Sequence, residues 1–137
     1  MPHRILIVED NENNRSLLRD LLIFHGHEVA VASNGQEGIA LARELMPDLI
    51  LMDIQMPGLD GMTAGRILKD DPATNGLRII ALTSFAMQGD QEKFMSAGFD
   101  GYLSKPISTR ELPGLINQWL DMGGNHEHRQ TENPVCR

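Results

Sequence analysis

The stretch Leu49-Ile50-Leu51-Met52-Asp53-Ile54-Gln55-Met56-Pro57-Gly58-Leu59-Asp60-Gly61 decides the fold of this chain. It opens with an apolar run of strand length and closes with a Pro-Gly turn, which is typical of a strand buried on both faces of a parallel sheet. Asp53 then lies at the carboxyl end of that strand. Because ligands bind beyond the strand ends of open α/β sheets, Asp53 is a candidate site residue, with a turn or N-cap aspartate as the structural alternative.

Composition limits the classes of protein that the chain can represent. Its 137 residues suit one domain, and its formal net charge of −7 argues against direct nucleic-acid binding, which needs a basic face. The lone Cys136 excludes an internal disulfide framework and favours a reducing compartment. No signal peptide and no apolar run of about 20 residues is apparent, so we expect a cytoplasmic protein without membrane spans.

Apolar runs of strand length alternate with helical periodicity along the chain. Strands are predicted at residues 5–8, 29–32, 48–52, 79–82 and 99–103, and helices between residues 11–14 and Gly26, at 36–45, 62–69 and 89–97, and from a cap at Ser108 to residue 120. Right-handed crossovers over this pattern predict an α/β fold, a flavodoxin-like (βα)5 open parallel sheet of strand order 2-1-3-4-5 with helices on both faces. We expect residues 1–122 to form this domain and residues 123–137 a polar, mobile tail.

Chemically active side chains follow several of the predicted strands, namely Glu9, Asp10, Asp53, Thr83 and Lys105. The strand order brings Glu9 and Asp10 beside Asp53, and clustered carboxylates repel each other unless a cation such as Mg²⁺ compensates. Thr83 and Lys105 would orient and neutralise a phosphoryl group, and Asp53 would be its nucleophile. Each residue alone also suits a structural role, so their conjunction carries the functional interpretation.

These residues resemble the receiver domain of bacterial two-component response regulators, of the stand-alone type, over about residues 4–121. The matching motifs are Ile7-Val8-Glu9-Asp10-Asn11 with Asn14, residues 48–58 with Asp60-Gly61, Ala81-Leu82-Thr83-Ser84, and Tyr102-Leu103-Ser104-Lys105-Pro106. Separate motifs in the family's order at strand ends make the resemblance specific.

The resemblance implies a role for each carboxylate in a phosphorelay. Asp53 would accept a phosphoryl group from a phosphohistidine of a histidine kinase or histidine phosphotransfer protein. Asp10, Asp53 and the backbone carbonyl of Gln55 would ligate Mg²⁺, and Glu9 would reach the ion through water. The protein would then be a phosphoaccepting switch without independent substrate turnover, and not an enzyme in the usual sense.

The resemblance also implies how the switch acts. Thr83 and Lys105 would contact the phosphoryl oxygens, and the Lys105-Pro106 peptide would be cis. Thr83 and Tyr102 match the family's switch pair, whose movement repacks the face formed by the fourth helix, fifth strand and fifth helix. That face would bind an unknown protein target, with a monomer expected and a phosphorylation-dependent dimer left open.

Two positions are expected to tune the lifetime of the phosphoryl group. By resemblance Gln55 and Phe85 control dephosphorylation, and a bulky Phe85 would screen the phosphoryl group from water. Ser84 stands where the family more often has alanine, which would slow access of small phosphodonors to Asp53.

Other functions remain as alternatives. A haloacid-dehalogenase-like phosphatase also uses a strand-end aspartate with Mg²⁺, but that family places an acid/base aspartate where this chain has Gln55. A flavodoxin-like FMN carrier shares the strand order, although the acidic cluster would repel the FMN phosphate. The His25-Gly26-His27 and His126-Glu127-His128 segments lack the spacing of a two-histidine helical zinc motif and are interpreted as solvated histidines.

Overall fold

The structure, a computed structural model, describes residues 3–84 and 90–124. Its sheet has five parallel strands in the order β2-β1-β3-β4-β5, which confirms the predicted fold class and strand order. The strands are β1 (Arg4–Val8), β2 (Glu28–Ala32), β3 (Leu49–Asp53), β4 (Ile79–Thr83) and β5 (Gly101–Ser104). Every residue of the inner strands β3 and β4 is buried, as continuous apolar runs predict for strands covered on both faces.

Helices cover both faces of the sheet. They are α1 (Glu12–Phe24), α2 (Gly35–Leu45), α3 (Gly61–Asp70), α4 (Asp90–Ser96) and α5 (Leu112–Gly124). Buried residues of α1 and α5 share one apolar cluster with one face of the strands, and those of α2, α3 and α4 share the cluster on the other face. The core is therefore two apolar layers separated by the sheet.

Capping side chains set the starts of the helices that follow β1 and β3. The side chain of Asn11 accepts a hydrogen bond from the Asn14 N–H at 2.9 Å and caps α1, as the sequence predicts. Asp60 accepts one from the Thr63 N–H at 2.8 Å and caps α3. Both caps close the loops that follow β1 and β3, so they fix the far ends of the loops that carry candidate site residues.

The fifth strand begins later than predicted, at Gly101 instead of Phe99. Gly98 has a φ of 96°, and the Phe99 N–H donates to the Phe94 carbonyl at 3.0 Å. This left-handed glycine and the hydrogen bond across five residues form a Schellman-type end to α4. Phe99 therefore belongs to the helix end, and strand pairing starts only when Gly101 meets Ile80.

The last helix also begins later than predicted. The Ser108 hydroxyl accepts a hydrogen bond from the Glu111 N–H at 3.2 Å, and the Ser108 carbonyl accepts one from the Leu112 N–H at 3.0 Å. Ser108 thus caps a turn, and α5 proper starts at Leu112 with Pro113 as its second residue. Proline is tolerated there because the first helical N–H groups have no partner within the helix.

At its carboxyl end α5 continues to Gly124, and residues 125–137 of the predicted tail lie outside the described residues. Within residues 3–84 and 90–124, no helix is both long and apolar enough to cross a bilayer.

Candidate functional site

Three carboxylates meet at the carboxyl ends of neighbouring strands. Val8 pairs with Met52 at the ends of β1 and β3, which sets Glu9 and Asp10 beside Asp53. One oxygen from each of these carboxylates lies within 4.8 Å of the others. Glu9 and Asp53 have exposed fractions of 0% and 1%, whereas Asp10 is exposed. The cluster is therefore a buried acidic pair with an open acidic rim.

Lys105 joins this cluster from the far side of the crevice. It follows β5, and β4 lies between β5 and β3, so its side chain reaches across one strand. Its Nζ lies 2.9 Å from Glu9 Oε1 and 3.0 Å from Asp53 Oδ2. The contact with Glu9 Oε1 is a charge contact, since that oxygen has no hydrogen bond of good geometry within the part of the chain that the structure describes. One ammonium group thus holds two buried carboxylates together.

Burial and close contact between charged groups shift the pKa values of Glu9, Asp53 and Lys105. Burial, and then a hydrogen bond with Asp53, raise the pKa of Glu9 to about 7. Burial alone would raise the pKa of Asp53, but hydrogen bonds from Glu9 and the Gln55 N–H outweigh it and lower that pKa. Burial likewise opposes a higher pKa for Lys105, which its two carboxylate partners nevertheless raise. Asp53 is therefore the ionised member of the pair at neutral pH.

Backbone donors orient the loop beyond β3. The Gln55 N–H donates to Asp53 Oδ1 at 3.0 Å, so one carboxylate oxygen of Asp53 is held by the backbone and the other by Lys105. The Gln55 side-chain carbonyl accepts a hydrogen bond of 3.4 Å from the Ser84 N–H, which links the loops after β3 and β4. Asp53 is thus fixed in orientation before any ligand binds.

Thr83 and Tyr102, the predicted switch residues, belong to neighbouring strands. Thr83 ends β4 and is 3% exposed, one position beyond the Asp53–Leu82 pair. Tyr102, on β5, is half-buried and packs its ring against Phe94 of α4, with the ring centres 5.8 Å apart. The Lys105-Pro106 peptide is cis. Phe85 lies outside the described residues.

Arg15 is a site residue that the sequence analysis missed. From the first turns of α1, its Nη1 donates to the Glu9 carbonyl at 2.8 Å and so supports the backbone from which the acidic pair extends. No motif spacing singles out this arginine, because its partner is a main-chain carbonyl that any residue could supply.

The donor set suits a hard divalent cation. Carboxylate and carbonyl oxygens are the ligands that Mg²⁺ prefers, and it commonly uses only one or two carboxylates and keeps bound waters. The cluster offers the exposed Asp10 with Asp53 for direct contact and the buried Glu9 behind them. Its negative charge is only partly balanced by Lys105, which leaves room for a cation in electrostatic terms.

Comparison with known proteins identifies the family. The model described as response regulator receiver domain matches residues 5–117. The polar-differentiation response regulator DivK of Brucella anthropi is 46% identical over 120 residues, which cover 88% of this chain and 98% of that protein.

Two solved structures share the fold over nearly the whole domain. The receiver domain of the sensor histidine kinase PA1611 from Pseudomonas aeruginosa, with magnesium coordinated in its active-site cleft, is 35% identical with a TM-score of 0.80, covering 88% of this chain and 99% of that one. The receiver domain of Saccharomyces cerevisiae Ssk1, solved with the histidine phosphotransfer protein Ypd1, is 34% identical with a TM-score of 0.82, covering 88% and 90%. Together with the family match, they show that this chain belongs to the response regulator receiver family of two-component signalling.

Proposed function

We propose that the chain is a stand-alone response regulator whose Asp53 accepts a phosphoryl group from a phosphohistidine. The observation that carries this proposal is the position of Asp53, which is buried and held at one oxygen by the Gln55 N–H and at the other by Lys105. A carboxylate oriented on both oxygens loses little freedom when it attacks, and orientation is a large part of catalysis in phosphoryl transfer.

The transfer step exchanges one bond for another. An Asp53 oxygen forms a bond to phosphorus while the phosphorus–nitrogen bond to the donor imidazole breaks. The electron pair of the broken bond returns to that nitrogen, and the imidazole leaves neutral because its other nitrogen carries a proton. Lys105 and the Thr83 hydroxyl are our candidates for contacts to the phosphoryl oxygens, where they would stabilise the charge of the transition state.

Mg²⁺ is the cation that we assign to the acidic cluster. Asp10, Asp53 and the Gln55 backbone carbonyl would hold it, with Glu9 acting through a bound water. When bound, it would neutralise and orient the phosphoryl oxygens. Support comes from the oxygen donors clustered within 4.8 Å and from the magnesium ion in the cleft of the related PA1611 receiver domain.

The donor is a histidine kinase or a histidine phosphotransfer protein. An open cleft of about 360 Å³ adjoins Lys105, between α1 and the segment after β5, with Leu17, Ser84 and Ile107 among its lining residues. Its lining is largely apolar and Leu17 is 50% exposed, as expected of a surface that binds a protein carrying the phosphorylated imidazole. The complex of Ssk1 with Ypd1 supports a partner of this class. Such ATP-dependent phosphotransfer is cytoplasmic chemistry, and we assign the protein to that compartment.

The output is a change of the face formed by α4, β5 and α5. We infer that the Thr83 hydroxyl moves toward a phosphoryl group on Asp53 and that the half-buried Tyr102 ring follows into the space released, which repacks its contact with Phe94. A target protein would bind this face with different affinity in the phosphorylated and unphosphorylated states. A second copy of this chain could be that target, which would give a phosphorylation-dependent dimer. Gln55 and Phe85 would set the lifetime of the phosphorylated state. The protein would act as a switch and would not turn over a separate substrate.

Intact-protein mass spectrometry tests the acceptor residue. We expect incubation with a phosphohistidine-bearing protein and Mg²⁺ to add one phosphoryl group to the wild type and none to Asp53→Ala. Asp20→Asn is the matched control, because the Asp20 side chain is 70% exposed and pairs with a surface arginine, Arg19, so it should behave like the wild type. Phosphorylation of Asp53→Ala at the wild-type rate would refute the assignment.

A small donor such as acetyl phosphate tests whether Ser84 restricts access to Asp53. If it phosphorylates the protein more slowly than the protein donor does, Ser84→Ala should restore part of the rate, since the extra hydroxyl would narrow access to Asp53. An unchanged rate in Ser84→Ala would count against that role for Ser84.

A further inference from the structure

Two histidines lie side by side at the amino ends of β1 and β2, the end of the sheet opposite the acidic cluster. His3 directly precedes β1 and His27 directly precedes β2, and the register pairs the next residues, Arg4 with Glu28. The Glu28 N–H donates to the His3 carbonyl at 2.8 Å, so the parallel pairing continues to this end. The two imidazole rings are 6.1 Å apart between centres and inclined at 54°.

We propose that His3 and His27 form a binding site for a borderline divalent transition-metal ion such as Zn²⁺. Imidazole nitrogen is a preferred ligand of Zn²⁺, Cu²⁺ and Ni²⁺, in contrast to the oxygen donors that suit Mg²⁺. The pair therefore differs from the acidic cluster both in its chemistry and in its place on the sheet.

The spacing of the rings is close to that of two imidazoles that share an ion. With zinc–nitrogen bonds of about 2.1 Å, the centres of two imidazoles bound to one ion at a tetrahedral angle lie roughly 5 Å apart. The observed 6.1 Å is about 1 Å longer. The rings would therefore have to move closer by about 1 Å to share an ion, and the paired backbone segments that carry them hold them near that distance.

The hydrogen bonding of His27 points in the same direction. Its Nδ1 is buried and has no hydrogen-bond partner among the described residues, which is an uncommon state for a polar atom. Burial, and then the charges of His3 and His25, lower the pKa of His27, so its ring is neutral at pH 7 as a metal ligand must be. His25 itself is exposed, with its ring edge-on to Phe24, and we do not count it among the ligands.

Such an ion would join the start of β1 to the start of β2. The pairing of these strands would become harder to open at their amino ends, far from the acidic crevice. Two protein ligands leave further coordination positions for water, so we expect binding weaker than that of a four-ligand structural site.

Calorimetric titration of the tag-free full chain with Zn²⁺ tests this site, with Mg²⁺ in excess to occupy the acidic cluster. We expect His3→Gln and His27→Gln each to weaken one binding event at least tenfold. His25→Gln, two residues from His27 but outside the pair, is the matched control and should leave that event intact. Asp53→Asn should leave it intact as well, which separates it from binding at the acidic cluster.

Paramagnetic Ni²⁺ gives a second reading that does not depend on variants or on other histidines of the chain. In ¹H–¹⁵N spectra we expect low ratios of Ni²⁺ to broaden the amide signals of Arg4 and Glu28 before those of Asp10 and Gln55. Equal Zn²⁺ binding by the wild type, His3→Gln and His27→Gln, or broadening that spares Arg4 and Glu28, would overturn the proposal.

Discussion

Glu9 is a carboxylate with no solvent exposure that lies between an ionised aspartate and a lysine. Its folded-state pKa of about 7 lies above the unfolded value of 4.5 because burial disfavours the charged form. A raised carboxyl pKa stabilises the fold below the unfolded pKa, and this contribution is lost as pH rises through the folded pKa. Ionising Glu9 therefore costs stability between about pH 4 and pH 8.

We predict that Glu9→Gln removes this cost in Mg²⁺-free buffer. The free energy of unfolding of the wild type should fall relative to that of Glu9→Gln by up to roughly 3 kcal/mol over that interval. Urea unfolding at several pH values measures the difference. His27, whose pKa is lowered, contributes with the opposite sign near its own pKa, but it is present in both proteins and cancels. A difference independent of pH would contradict the prediction.

The residues that meet at the site were predictable because parallel strands deliver their carboxyl ends to one edge. Glu9, Asp10, Asp53 and Lys105 follow directly from that rule and lie together in the structure. The support of Glu9 by Arg15, and the bond between the Gln55 side chain and the Ser84 N–H, did not follow. Both depend on side-chain conformations and main-chain partners, which leave no pattern in the sequence.

At the level of elements, the junction of β3 and α3 is the most constrained part of the site. A Cβ added at Gly61 would collide with the main-chain carbonyl of Asp53, which cannot move without moving the candidate acceptor carboxylate. We predict that Gly61→Ala lowers the free energy of unfolding by about 3 kcal/mol or more and weakens Mg²⁺ binding. Thermal unfolding and calorimetric titration measure the two effects.

Gly76 supplies the matched control for that substitution. A Cβ there meets nothing within 4 Å, and its φ does not require glycine. Gly76→Ala should be neutral or stabilise the protein by up to about 1 kcal/mol, because it restricts the unfolded chain. Equal stabilities of the two variants would contradict the prediction, because they would show that the backbone at the junction of β3 and α3 shifts to accommodate the added methyl group at little cost.

Element boundaries were less predictable than element types. Phe99 has the apolar character of a strand residue, yet its N–H donates a hydrogen bond to the Schellman end of α4. Ser108 has the character of a helix cap, yet it caps a turn before α5. In both cases a single backbone hydrogen bond sets the boundary of the element. Hydrophobic periodicity reports which residues are apolar and carries no information on such a bond.

For the whole molecule, binding of Mg²⁺ should appear as stability. A ligand that binds only the folded state adds about 1.4 kcal/mol for each tenfold rise in its concentration above the dissociation constant. We predict that the thermal midpoint of the wild type rises with Mg²⁺ and that Asp10→Asn removes most of the rise. Asp20→Asn should retain it, and an equal rise in Asp10→Asn would place the ion elsewhere.

The order of the strands was predictable at this scale because few topologies satisfy right-handed, short crossovers over five alternating units. What the sequence leaves open is how closely the two apolar layers fill the space around the sheet, as in the contact between Gly65 and the Phe99 ring. Such complementarity arises only when distant segments meet.

Lys105 lies 96 positions after Glu9, one of the two buried carboxylates that its ammonium group contacts. During synthesis, the first three strands and the acidic residues leave the ribosome well before their counter-ion does. A nascent or truncated chain that ends before Lys105 therefore carries Glu9 and Asp53 without the cation that joins them. The proposed acceptor site is therefore complete only once the last strand of the domain and the segment after it have been synthesised.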